Sequence, residues 1–86
     1  MSKIELNDGN CELVSAICEK YGFPFDAEDL NYDENGNVVF TPFDGNAGIV
    51  CYYGGWELIG FNRYSLGLLD MNRDLDMFDE ISTALA

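Results

Sequence analysis

The sequence predicts an α+β fold, an antiparallel β-sheet of three to four strands flanked by an N-terminal and a C-terminal helix. Three observations predict it. Apolar residues recur at helical spacing near both ends of the chain. Between them lie short apolar runs that fold back at Asn35-Gly36 and Gly54-Gly55, dipeptides suited to hairpin turns. No internal repeat, low-complexity tract or linker interrupts the 86 residues, so residues 1–86 form a single domain. A domain of this size buries only about 60 to 65% of the surface its unfolded chain exposes. Its 48% hydrophobic and 14% aromatic content suffices for such a core and argues against disorder.

Residues 2–6 alternate weakly around Ile4 and Leu6 and read either as a short strand or as a lead into the first helix. Asn7 to Asn10 offer several N-caps. From there Leu13, Val14, Ile17, Cys18 and Tyr21 form an apolar stripe, with Glu12, Ser15, Glu19 and Lys20 away from it. Gly22 suits the position after the helix, and Pro24 prevents its continuation. Phe23-Pro24-Phe25 is an apolar connection tucked against the core. A first hairpin then pairs the segment around Leu30 and Tyr32 with Val38 to Thr41 across Asn35-Gly36, and Pro42 limits its second arm. Asp44-Gly45 and Asn46 turn the chain into the next hairpin.

That second hairpin, Gly48 to Asn62, is the apolar centre of the chain. A Gly54-Gly55 turn sets Tyr53 opposite Trp56, Cys51 opposite Leu58 and Ile49 opposite Gly60 on one face. On the other, Tyr52 lies opposite Glu57 and Val50 opposite Ile59. Both faces are apolar, although one face of an antiparallel sheet is commonly polar. Either helices cover most of the sheet or part of it meets a partner. The link holding Leu66, Gly67, Leu68 and Leu69 reads equally as a short helix or a packed loop. Asn72 is the expected N-cap of a last helix with Leu75, Phe78, Ile81 and Leu85 as its stripe and Met77 beside it. Asp76, Asp79 and Glu80 project from the opposite side, and Asp74 sits in the first turn, where the helix dipole favours an anion.

Composition excludes several function classes. Sixteen Asp and Glu against Lys3, Lys20, Arg63 and Arg73 give a formal net charge of −12. Phosphate neutralisation needs clustered Lys and Arg, so direct nucleic-acid binding is not expected, nor is adsorption to anionic membranes. The start Met-Ser-Lys-Ile-Glu lacks the apolar core of a signal peptide, and no run reaches the roughly 18 to 20 residues that cross a bilayer. A cytoplasmic protein is expected. Cys11, Cys18 and Cys51 are read as reduced, buried thiols, the first two lying too far apart along a helix to bridge.

No catalytic signature is present. The chain contains no His, which removes the commonest general base and metal ligand. It has no nucleophile elbow, no Gly-rich phosphate loop and no Cys-x-x-Cys pair. Neither catalytic residues, nor a metal site, nor a cofactor is expected, and the chain is read as not an enzyme. Asn31, Asp33, Asn35, Gly36 and Val38 fall at EF-hand spacing, but the closing position is Pro42 rather than Glu and the segment that follows reads as a strand. A plain Asn-Gly hairpin accounts for the same residues. An acyl carrier protein is set aside as well, because Ser65 follows Tyr64 rather than Asp and the strands do not belong.

The remaining signal is a pair of acidic blocks. The first holds Asp26, Glu28, Asp29, Asp33 and Glu34; the second holds Asp70, Asp74, Asp76, Asp79 and Glu80. Their natural complement is a basic, nucleic-acid-binding protein whose Arg and Lys pair with these carboxylates. Tyr52, Tyr53 or Trp56 would supply an apolar anchor, with Trp56 otherwise read as core.

In its length, its charge of −12, its lack of catalytic motifs and its α/β build with acidic blocks at Asp26 to Glu34 and Asp70 to Glu80, the chain resembles the small acidic phage-encoded anti-CRISPR proteins. The resemblance is to the DNA mimics that inhibit type I surveillance complexes, and it lies in overall character rather than in a shared motif. It implies an inhibitor at work in the cytoplasm of an infected bacterium, occupying a basic surface of a complex subunit so that target DNA cannot bind. The runner-up is an immunity or antitoxin-like protein that covers the nucleic-acid site of a basic nuclease toxin. A third class is a structural or regulatory phage protein whose charge serves solubility alone.

Overall fold

The computed structural model describes residues 4–43 and 46–86. The chain runs through helix α1 (Asp8–Lys20), a 3₁₀ turn (Ala27–Asp29), strands β1 (Leu30–Tyr32), β2 (Val38–Phe40), β3 (Gly48–Tyr52) and β4 (Gly55–Ile59), a short helix α2 (Arg63–Leu66) and helix α3 (Asp74–Leu85). The strands form one antiparallel sheet in the order β1-β2-β3-β4, so the fold is α+β with a helix near each end. Residues 4–7 have no regular structure, although Ile4 is buried. The predicted turn residues Asp44 and Gly45 lie outside the described residues.

Local chemistry sets the boundaries of α1. The Asn7 side chain accepts the Asn10 N–H at 2.8 Å, satisfying one of the free donors of the first turn. At the other end Gly22 adopts φ 69°, and the Phe23 N–H returns to the Cys18 carbonyl at 2.8 Å, closing the helix before Pro24. Val14 and Cys18 are fully buried, but Leu13, expected in the stripe, is exposed: the face that meets the core is narrower than the sequence suggests.

The first hairpin pairs Leu30 with Phe40 and Tyr32 with Val38. Its loop is held by Asp33, whose Oδ1 accepts the N–H groups of Asn35 and Asn37, each at 2.9 Å, with Gly36 at φ 79°. The second hairpin differs from expectation. Tyr52 pairs with Gly55, Cys51 with Trp56, Val50 with Glu57 and Ile49 with Leu58, so the turn is Tyr53-Gly54 rather than Gly54-Gly55. Gly54 sits at φ 90° and Tyr53 at negative φ, the requirement of a type II turn, whereas the glycine pair pointed to a turn with two left-handed residues. Moving the turn by one residue moves every cross-strand partner by two, which leaves each side chain on its predicted face.

One face, carrying Leu30, Val38, Phe40, Ile49 and Cys51, packs with Val14 and Cys18 of α1 and with Met77, Phe78, Ile81 and Leu85 of α3 into a single core. Phe23 meets Phe40 edge-on at 6.3 Å, and Trp56 meets Phe78 at 5.3 Å. Trp56 thus belongs to the core margin. The opposite face carries Asn31, Val39, Val50, Tyr52 and Glu57. Val39 and Val50 are buried there but outside the core shared with the helices, and Tyr52 and Glu57 on either side of Val50 are exposed.

The predicted cap of the last helix is also corrected. Arg73, not Asn72, occupies the N-cap position of α3, and it makes no capping hydrogen bond from its side chain. Asp74 takes over: its Oδ2 accepts the Asp70 N–H at 2.9 Å, drawing the preceding turn onto the helix start. No helix among the described residues is long and apolar enough to cross a membrane.

Candidate acidic interface

The structure treats the two acidic blocks differently. In the second block most carboxylates have internal partners. Asp74 is fully buried and binds Arg73 Nε through Oδ1 at 2.7 Å, while Arg73 lies over the Phe23 ring at 5.2 Å. Glu80 accepts from Lys20 Nζ at 2.8 Å and from the Tyr21 hydroxyl, tying α3 to α1. Its carboxyl is held below the ordinary carboxylate range by those two bonds, Lys20 first, and Tyr21 is correspondingly pushed up to about 12, chiefly by the same bond. Asp79 accepts the indole N–H of Trp56 at 2.5 Å, and Asp70 accepts the Asn72 N–H at 3.1 Å. Asp76 alone in this block makes no such bond among the described residues, and it is exposed. The row of carboxylates predicted along α3 is therefore largely engaged with the molecule's own cations and donors.

The first block is held in place by backbone and forms no ion pair among the described residues. Asp26 caps the 3₁₀ turn by accepting the Glu28 N–H at 2.9 Å. Asp33 organises the β1–β2 loop as described. Glu28 and Glu34 are exposed. Asp29 is half-buried, and its carboxyl is raised above the usual value by burial first, then by the negative charges of Asp26 and Glu28. The charged form of Asp29 is therefore disfavoured by its position and its two acidic neighbours. On the open sheet face the charge continues through Glu57: the Tyr52 phenol is raised by burial, then by Glu57 and Asp33, which lie close enough to act on it.

The supply of cations explains the asymmetry. Among the described residues Lys20 and Arg73 are each paired with a carboxylate, Glu80 and Asp74 respectively, leaving Arg63 on α2, which makes no ion pair. The edge formed by the 3₁₀ turn and β1 thus presents five acids, from Asp26 to Glu34, that form no ion pair among the described residues. Sequence reading missed this distinction, because Lys20 pairs with Glu80, 60 positions away, and Trp56 with Asp79, 23 positions away.

Two surface depressions accompany these features. One, of about 270 Å³, lies between the β3–β4 turn and the end of α3, and the other, of about 500 Å³, lies beside Phe23-Pro24-Phe25. Each is lined by a single carboxylate, Asp79 and Glu19 respectively. Among the described residues no three Cys, Asp or Glu side chains are arranged to hold a metal ion. Cys18 and Cys51 are buried, which pushes their thiols up to about 11 and about 12, away from nucleophilic character. Neither a family model, nor a curated protein, nor a solved structure matches the chain.

Proposed function

We propose that this protein is a non-catalytic inhibitor that occupies a basic nucleic-acid-binding surface of a partner protein, with the 3₁₀ turn and β1 edge taking the place of phosphates. The observation that carries the reading is the block of Asp26, Glu28, Asp29, Asp33 and Glu34, without an ion pair among the described residues, beside a second block most of whose carboxylates are engaged internally. Carboxylates fixed by turns and a sheet edge meet Arg and Lys without a large ordering cost, and their summed field attracts a basic surface before contact. The resemblance in size, charge and build makes the DNA-binding channel of a type I CRISPR surveillance complex the leading target.

The test is competition for target DNA on a purified type I surveillance complex. The wild-type chain displaces DNA, with an affinity that falls steeply as salt rises. Reversing Glu28, Asp29 and Glu34 to Lys abolishes displacement, whereas reversing Asp76 leaves it nearly intact. Binding with DNA still in place would move the mechanism to nuclease recruitment or allostery. Insensitivity to reversal of either block would defeat mimicry altogether. Protection from a basic nuclease toxin, run in parallel, distinguishes the immunity-protein alternative.

A further inference from the structure

The exposed apolar residues of this chain are unevenly placed. Tyr64, Leu66, Leu68 and Met71 are 68%, 50%, 45% and 62% exposed, within one short stretch around α2. That stretch is also where the acids stop: from Leu58 to Leu69 the only charged residue is Arg63. It is firmly built. Asn62 Oδ1 accepts the N–H groups of Tyr64 and Ser65, each at 2.9 Å, and Ser65 Oγ accepts the Asn62 N–H at 2.9 Å. The helix then tightens through bonds from Gly67, Leu68 and Leu69 to the carbonyls three residues back, at 3.0, 3.0 and 3.2 Å. Ser65 is buried and Leu69 half-buried, so these two residues, four apart, face inward. Gly67 therefore points to solvent, with Leu66 on one flank and Tyr64 and Leu68 on the other.

We propose that the segment from Arg63 to Asp70 seats a second copy of this chain. Elsewhere two copies with a net charge of −12 repel each other, whereas this surface brings no carboxylate to its centre. Its ends are complementary to each other: Arg63 is cationic and without an ion pair among the described residues, and Asp70 is anionic and exposed. In a two-fold contact the segment meets itself antiparallel. Arg63 of one copy then faces Asp70 of the other, and Leu66 enters the opening over Gly67. Exposed apolar residues gathered in one short stretch mark an interaction site, and the capped backbone needs little ordering on contact. The proposal is independent of the acidic interface and of the target proposed above.

Sedimentation velocity from micromolar to millimolar protein tests it. A concentration-dependent dimer is expected, strengthened by salt because screening relieves the repulsion between the two acidic bodies. That dependence is opposite in sign to the one expected for a basic partner. Leu66→Asp and Leu68→Asp each weaken dimerisation by about thirtyfold or more, the scale of a hot-spot loss. Both positions are solvent-exposed, and an unchanged circular dichroism spectrum verifies the fold. Arg63→Asp weakens the dimer, and the swap Arg63→Asp with Asp70→Arg restores it. A chain that stays monomeric at every concentration and salt overturns the proposal. So does a dimer indifferent to the two leucine substitutions, or protection of amides 63–70 from exchange only when a basic partner is bound.

Discussion

The sequence places Asp74 among the acids expected to face a partner, and its position in the structure makes a different, measurable claim. The carboxylate is fully buried, holding the Asp70 N–H at 2.9 Å and Arg73 Nε at 2.7 Å. Asp74→Ala strands the Asp70 N–H, which costs about 1 to 3 kcal/mol when no other acceptor is near. Breaking a fully buried ion pair costs about 3 to 5 kcal/mol. Here the Arg73 side chain is 35% exposed and rehydrates, so its share falls to about 1 kcal/mol or less. The expected loss is about 3 kcal/mol, a substantial part of the roughly 4 to 13 kcal/mol typical of a domain this size. It corresponds to a drop in Tm of about 12 to 24 °C. Urea unfolding followed through Trp56 fluorescence measures it. Asp74→Asn, which keeps one acceptor but turns an amide donor towards another donor, falls between wild type and Ala. A loss below about 0.5 kcal/mol for Asp74→Ala, the size of an ordinary surface substitution, would refute the structural role assigned to this carboxylate.

Other expectations concern charge and thiols. Asp29 carries a folded-state pKa raised by burial, Asp26 and Glu28, so its ionisation above the unfolded value works against the fold. Asp29→Asn should therefore raise Tm at pH 7 while weakening partner binding, and a lowered Tm would contradict the crowding described. The Glu80 carboxyl is depressed by Lys20 and Tyr21, so its contribution is present above the unfolded value and fades as pH falls through the folded one. Tyr21, raised to about 12, contributes below its ordinary value of 10.0 and loses that contribution as pH climbs towards 12. Glu80→Gln should flatten both limbs of a stability–pH curve, and Tyr21→Phe the alkaline limb; unchanged curves would remove the α1–α3 link. Iodoacetamide at mildly alkaline pH should label half-buried Cys11 first and reach Cys18 and Cys51 only after unfolding, as peptide mass analysis can follow.

Much of the architecture was legible because it rests on local chemistry. Asn7 and Gly22 delimit α1, Asn35-Gly36 closes the first hairpin, and alternation along β3 and β4 assigns every side chain to its face. The register of the second hairpin was not, since two adjacent glycines allow two turn positions and only the folded sheet selects Gly54 as the left-handed residue. Acidic composition identified both candidate blocks but could not separate them. That separation depends on which carboxylates Lys20, Tyr21, Trp56 and Arg73 reach, and the Lys20–Glu80 pair joins residues 60 positions apart. Spacing does set Asp74 on the core stripe, four residues before Phe78 and seven before Ile81, but a carboxylate in a first helical turn also reads as a solvated partner of the helix dipole, and only the Arg73 and Asp70 contacts decide for burial.

Each strand pairs with the next one in sequence, while the contacts between α1 and α3 join the two ends of the chain. Such a topology divides folding into unequal steps. The hairpins close through short loops and with little entropic cost, so the sheet can assemble early. The core is completed only when Met77, Phe78 and Ile81 arrive. The apolar sheet face therefore stays uncovered in any folding intermediate that forms before α3 docks. Helix α3, 12 residues long, closes that face, which makes the interval before it docks the one in which the folding protein is most open to aggregation.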